Sequence, residues 1–142
     1  MSAAELRRVV EAFWAAQSRG DRAAAEAVLH PDLRWIVSGI GHPLAREFRG
    51  REAFFAELIG ALRLGFEPGS QQLTLVETVA DVERSRVVSV VHQTARGRGG
   101  EPFDVDMITV MTVRDGRIVD CLEVMDLAAV ARALPADALA GH

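Results

Sequence analysis

The stretch from Val87 to Asp126, VVSVVHQTARGRGGEPFDVDMITVMTVRDGRIVDCLEVMD, reads as three apolar strands that nonetheless carry an imidazole, His92, and a carboxylate, Glu123. Imidazole titrates near neutrality, and a carboxylate partner fixes its tautomer and stabilises its protonated form. His92 with Glu123 is therefore the first candidate for moving a proton. The alternative is a core histidine bonded to backbone, beside a glutamate at an exposed strand end. Asp104 and Asp106, in the sequence DVD, share the face opposite Val105 and Met107.

Other chemistries find little purchase. His30, His42, His92 and His142 show no metal-site spacing, so no metal is expected. No glycine-rich phosphate loop, dinucleotide fingerprint or Gly-x-Ser-x-Gly elbow occurs, which removes kinases, dehydrogenases and serine hydrolases and leaves no expected cofactor. Cys121 is the lone cysteine and a weak nucleophile candidate, and without a disulfide partner it suits a reducing cytoplasm. His42 and Arg46 sit in a loop, Ser38 to Gly50, from which they could reach over a ligand.

The 142 residues are 49% hydrophobic and 25% charged, as expected of one soluble domain filling 1–142, with a core over about 6–134 and a frayed tail after Pro135. The net charge is -4 and every positive side chain is an arginine, spread along the chain, so a nucleic acid is not the expected partner. No apolar run is long enough for a membrane span.

The elements that must position the candidates follow from local signals. Ser2 and Glu5 have capping-box spacing ahead of Leu6, Val9, Val10, Phe13 and Trp14 at helical period, giving a helix from about Ala3 to Arg19. Asp21 caps a second helix through Leu29, ended by His30-Pro31, and Leu33 to Val37 is a short strand. Phe54, Phe55, Leu58 and Leu62 form the apolar stripe of a third helix. Strands follow at about 72–79, 86–96, 103–113 and 117–124, with Asp115-Gly116 a hairpin turn and Asp126 capping a last helix. The order gives an α+β domain with helices packed on one face of the sheet. A bent sheet closed by helices makes a cone, the usual form of a small-molecule site.

The order of elements, EFRG entering the third helix, the strand ending in VRDGRI and the EVMD before the closing helix resemble the SnoaL-like branch of the nuclear transport factor 2-like superfamily, over about Leu6 to Leu134. The resemblance implies a cone-shaped, curved antiparallel sheet wrapped around N-terminal helices, and a homodimer through the sheet's outer face, here carrying Val91, Asp104 and Asp106. It implies a pocket walled by Trp35, Val37, Phe54, Phe55, Leu58, Leu62, Val90, Val105, Met107 and Met125, with His42 and Thr94 as further ligand contacts. Relatives include ketosteroid isomerase, polyketide cyclases, scytalone dehydratase and limonene epoxide hydrolase. On the last one's register His92 takes the catalytic acid's position, Val90 the arginine's and Glu123 the second acid's, while Trp35 and Val37 replace the water-positioning pair.

That register places His92 and Glu123 together on the concave face. The expected function is cofactor-free acid-base chemistry on a small hydrophobic metabolite: isomerisation, cyclisation or dehydration. A binding module with the same pocket and no chemistry is the rival, supported by the absence of tyrosine. Acid-catalysed epoxide opening is the third reading.

Overall fold

The computed structural model describes residues 1–139. Helix α1, Ala3–Ser18, begins at the expected capping box: the Glu5 amide donates to Ser2 Oγ at 3.1 Å, and the Ser2 amide to Glu5 Oε1 at 3.3 Å. Its buried face presents Leu6, Val10, Phe13 and Trp14. Helix α2, Arg22–Ala27, is capped by Asp21.

Strand β1 runs over Leu29–Val37, longer than expected. The second helix stops at Ala27, short of the expected Leu29, and His30-Pro31 lies within the strand, whose extended backbone proline favours. The pairing with β6 is irregular between Leu29 and Arg34, which accommodates the proline. The glycine-rich loop that follows contains a short strand, β2, Glu47–Arg49, paired with β1.

Next comes one helical rod, made of α3 (Arg51–Ala53), a π-helical stretch (Phe54–Ile59) and α4 (Gly60–Gly65). The π-stretch widens the turn where Phe54, Phe55 and Leu58 are buried. The strands β3 (Gln72–Asp81), β4 (Arg86–Arg96), β5 (Pro102–Arg114) and β6 (Arg117–Val124) form the meander read from the sequence. Helix α5, Leu127–Ala133, is capped by Asp126, and a short helix α6, Ala136–Leu139, occupies part of the tail expected to fray. His142 lies outside the described residues.

The six strands make one sheet in the order β2-β1-β6-β5-β4-β3. All neighbours are antiparallel except β1 and β6, which run parallel. Register shifts in β3, β6 and β1 are the bulges that bend and twist a sheet toward a cone. The concave face holds the core, with Trp35, Phe13, Phe48 and Phe54 among its largest fully buried side chains.

The closing helix sits very near the β4–β5 turn. A Cβ built on Gly97 would lie 2.5 Å from the Ala133 carbonyl oxygen, so only glycine lets the two backbones meet there. None of the described helices is long and apolar enough to cross a membrane.

Candidate functional site

Between α1, the π-helical stretch, α5 and the concave side of the sheet lies a cavity of about 630 Å³, mouth included. Its wall is mostly apolar. Phe13, Trp35 and Phe54 form an aromatic cluster, with ring centroids 4.5 Å apart for Trp35 and Phe54 and 5.7 Å for Phe13 and Trp35. Leu58, Leu62, Met107, Met125 and Leu134 complete much of the remainder.

Glu123 is the single titratable side chain among the described lining residues. Strand β6 brings it inward because an irregularity opposite Thr112 and Val113 shifts the strand's parity, so that Cys121 and Glu123 follow Ile118 onto the concave face. Thr109 stands opposite it on β5, and Val37 is its neighbour on β1. The residue is only 6% exposed.

Burial raises the Glu123 carboxyl from its ordinary 4.5 to about 7, since a charge loses its hydration among apolar walls. The Trp35 indole N–H opposes the shift by favouring the carboxylate. This contact falls outside full hydrogen-bond geometry, leaving Trp35 Nε1 without a satisfied partner and burial as the dominant influence. A carboxyl poised near neutrality can take a proton and give it back at physiological pH. Cys121, next inward on the same strand, is buried and its thiol is held well above its ordinary value, chiefly by desolvation. It is no nucleophile.

The model of the family described as SnoaL-like domain matches residues 10–121. This chain belongs to the SnoaL-like family. Among solved structures it is similar to a nuclear transport factor 2-like protein from Burkholderia xenovorans LB400, at 32% identity over 94% of this chain and 98% of the other, with a TM-score of 0.75. It is similar also to a protein from Jannaschia sp. CCS1 given as a SnoaL-like polyketide cyclase, at 20% identity over 94% of each chain, TM-score 0.77. TerC, co-crystallised with polyporic acid, matches at 20% identity over 92% of this chain and 98% of the other, TM-score 0.78. At the two lower identities the likeness is one of fold. No curated protein matches the chain.

In this SnoaL-like domain the expected His92–Glu123 pair does not form. His92 stands opposite Asp106 on β5, on the convex face; its Nδ1 is 2.8 Å from Asp106 Oδ1 and its Nε2 3.2 Å from Asp104 Oδ1. The hydrogen bond to Asp106 is the main cause of a raised imidazole pKa, with the Asp104 charge adding to it against some desolvation. Residues opposite each other in an antiparallel ladder share a face, so His92 goes wherever Asp106 goes. Val90 and Thr94, two residues either side of His92, are turned outward with it, and Val91 is buried inward rather than outward.

Of the other expected wall residues, Trp35, Val37, Phe54, Leu58, Leu62, Met107 and Met125 do line the cavity. Val105 is buried on the concave side without reaching the cavity wall. Phe55 points the other way, under the Arg22 guanidinium at 4.6 Å, in a separate groove. Helical spacing placed it on the stripe, and the wider π-helical turn moves it off.

His42 is not a cavity residue. Its Nδ1 accepts from the Leu44 amide at 3.1 Å and its Nε2 lies 2.7 Å from the Leu134 carbonyl, so the Nε2–H tautomer satisfies both contacts. It fastens the β1–β2 loop to the end of α5. Arg46 pairs with Glu57 at 3.1 Å and stacks on Phe48 at 3.9 Å, also away from the cavity.

Sequence reasoning passed over four polar members of the wall: Trp14, Gln17, Gln71 and Gln93. Gln93 was detectable, because once Asp106 faces out, the residue next to His92 must face in. Trp14 reads as core at helical period, and nothing in the sequence distinguishes its indole nitrogen from one with a partner.

Proposed function

We propose that this SnoaL-like protein is an acid-base enzyme that moves a proton on a small, largely apolar metabolite, with Glu123 as the proton carrier. The observation that carries the reading is a solitary carboxyl, raised to about 7, in an otherwise apolar cavity. As a carboxylate it removes a proton from carbon, and as the resulting acid it returns one to another atom. Isomerisation, cyclisation and dehydration all reduce to that exchange. The Trp35 indole beside the carboxyl favours its charged form, against the larger effect of burial. The relatives given as a polyketide cyclase and co-crystallised with polyporic acid favour a ring-bearing substrate.

A positioned acid or base contributes about 10²- to 10⁴-fold. Glu123→Gln keeps the shape and removes the titration, so exchange of the acidic C–H protons of a bound ring ketone for deuterium should fall by about that factor. Exchange at the wild-type rate in the variant would overturn the reading.

The binding-module reading keeps one specific support: no second titratable group lines the cavity among the described residues, so any further polar assistance must come from neutral donors. Epoxide opening loses its basis, because His92 and Val90, which would stand for the acid and the arginine, face away from the cavity.

We also infer a homodimer through the convex face of the sheet. Ile108, Leu122 and Val124 are 37%, 41% and 44% exposed, and Ile108 stands directly opposite Val124. An antiparallel sheet with an apolar outer face is ordinarily covered, and a second copy presents the same face.

A further inference from the structure

Three arginines come together in the groove that holds Phe55. Its lining takes Arg19 from the C-cap of α1, Arg22 from the start of α2 and Arg63 from α4, and no acidic side chain. The groove has a volume of about 930 Å³, open solvent included. The chain as a whole carries 20 acidic residues against 16 arginines, so a concavity lined by arginine alone runs against its composition. The groove at the Asp115-Gly116 turn is balanced instead: Arg34, Arg114 and Arg117 share it with Asp32, Asp115 and Asp120.

Little in the protein neutralises the three. Arg63 forms no ion pair among the described residues. Arg19 meets Asp21 at 3.4 Å and Arg22 meets Glu26 at 3.1 Å, both at the surface, where water and salt screen such pairs and they hold weakly. Neither acid lines the groove. The Arg22 guanidinium is already ordered, lying over the Phe55 ring at 4.6 Å. A guanidinium offers a planar fork of N–H donors that matches the oxygens of a carboxylate or a phosphate.

Much of the remaining lining is apolar, with Phe55, Ile59, Leu62 and Leu73. Ser18 Oγ donates to the Leu73 carbonyl at 2.7 Å, which ties the end of α1 to the start of β3 and fixes one side of the groove. Gln17, Ile59, Leu62, Gln71 and Leu73 line the cavity as well, so groove and cavity share a wall. An anionic group is unwelcome in the cavity, where it would face Glu123 among apolar side chains. In the groove it meets arginine.

We propose that this groove is a binding site for an organic anion: a carboxylate or phosphate, held by Arg19, Arg22 and Arg63, on an apolar body that packs against Phe55, Ile59, Leu62 and Leu73. Two molecules offer that chemistry. One is the cavity's own substrate with an acidic substituent placed in the groove, which rests on the cavity being the substrate site. The other is a separate apolar acid.

The test uses 2-naphthoate and its neutral analogue 2-naphthamide, titrated by calorimetry into the full-length protein. The acid should bind more tightly than the amide. The ratio of the amide to the acid dissociation constant should fall about threefold in Arg63→Gln and about tenfold when Arg19→Gln, Arg22→Gln and Arg63→Gln are combined. Arg114→Gln with Arg117→Gln removes two arginines elsewhere and should leave the ratio unchanged. On the wild-type protein, naphthoate should move the backbone amide resonances of Ser18, Gly20 and Gly69, a readout independent of how any variant folds. Shifts that extend to the methyls of Met107 and Met125 mark one molecule spanning groove and cavity, and shifts confined to the groove mark a separate acid. No saturable binding of naphthoate, a ratio unchanged in the triple variant, or shifts that miss the groove would overturn the site. None of these readouts depends on proton transfer by Glu123, so the groove and the acid-base reading stand or fall separately.

Discussion

His92 and Glu123 project from opposite faces of one sheet, the imidazole held on the convex side by Asp106 at 2.8 Å and the carboxyl buried in the concave cavity. They titrate independently. The His92 resonance should midpoint above its ordinary 6.5, move down in Asp106→Asn, and stay where it is in Glu123→Gln, as followed by NMR. A folded pKa above the unfolded one means that the stabilisation from this pair is fully present below about pH 6.5. It fades as pH rises through the elevated folded value. His92→Ala should leave turnover unchanged.

Glu123 is linked to pH in the same direction, over a lower range. Its folded pKa, about 7, lies above its ordinary 4.5, so the folded state holds a proton that the unfolded chain releases between those values. Stability therefore falls as pH rises from about 4.5 to about 7, and is level beyond. The full difference corresponds to about 3 kcal/mol. Urea melts of Glu123→Gln should show a variant more stable than wild type above pH 7, by up to that amount, with the gap closing toward pH 4.

Gly97 should not tolerate a side chain. Gly97→Ala brings a methyl against the Ala133 carbonyl at 2.5 Å, backbone against backbone, and should cost about 1–3 kcal/mol in a thermal melt. Because α5 contributes Val130 to the cavity wall, with Leu134 immediately after it, ligand affinity should fall along with stability.

His42 tests the fastening of the β1–β2 loop. His42→Ala removes a donor to Leu134 and an acceptor for Leu44 in a buried setting, and should destabilise by about 1–3 kcal/mol. Since the imidazole does not line the cavity, activity per folded molecule should be retained in a steady-state assay.

The convex face predicts a self-association that charge can break. Ile108→Lys with Leu122→Glu should convert a dimer into a monomer in sedimentation at micromolar concentration, and a wild-type monomer would remove the inference.

The long strands, the capping boxes and the DG turn were legible in the sequence because each is a local signal. Which face of β4 turns inward was not, since Val88 and Val90 on one side and Val87 and Val91 on the other are equally apolar. The information was present in a longer-range form. With Arg96 opposite Pro102 across the turn, His92 must stand opposite Asp106, so an outward Asp106 and an inward His92 exclude each other. Glu123 was placed inward by family register; the irregularity in β6 that turns it there has no sequence signature short of the structure. The orphaned nitrogen of Trp14 is likewise a property of packing alone.

The central claim is that Glu123 is a buried carboxyl poised to exchange a proton near neutral pH. The most direct measurement is a carbon-13 NMR titration of the Glu123 Cδ, assigned by its loss in Glu123→Gln, across pH 3 to 9. A midpoint at about 7, matched by an inflection at the same pH in the rate of C–H exchange, is the predicted result. A midpoint near 4.5, with exchange indifferent to pH around neutrality, would contradict it.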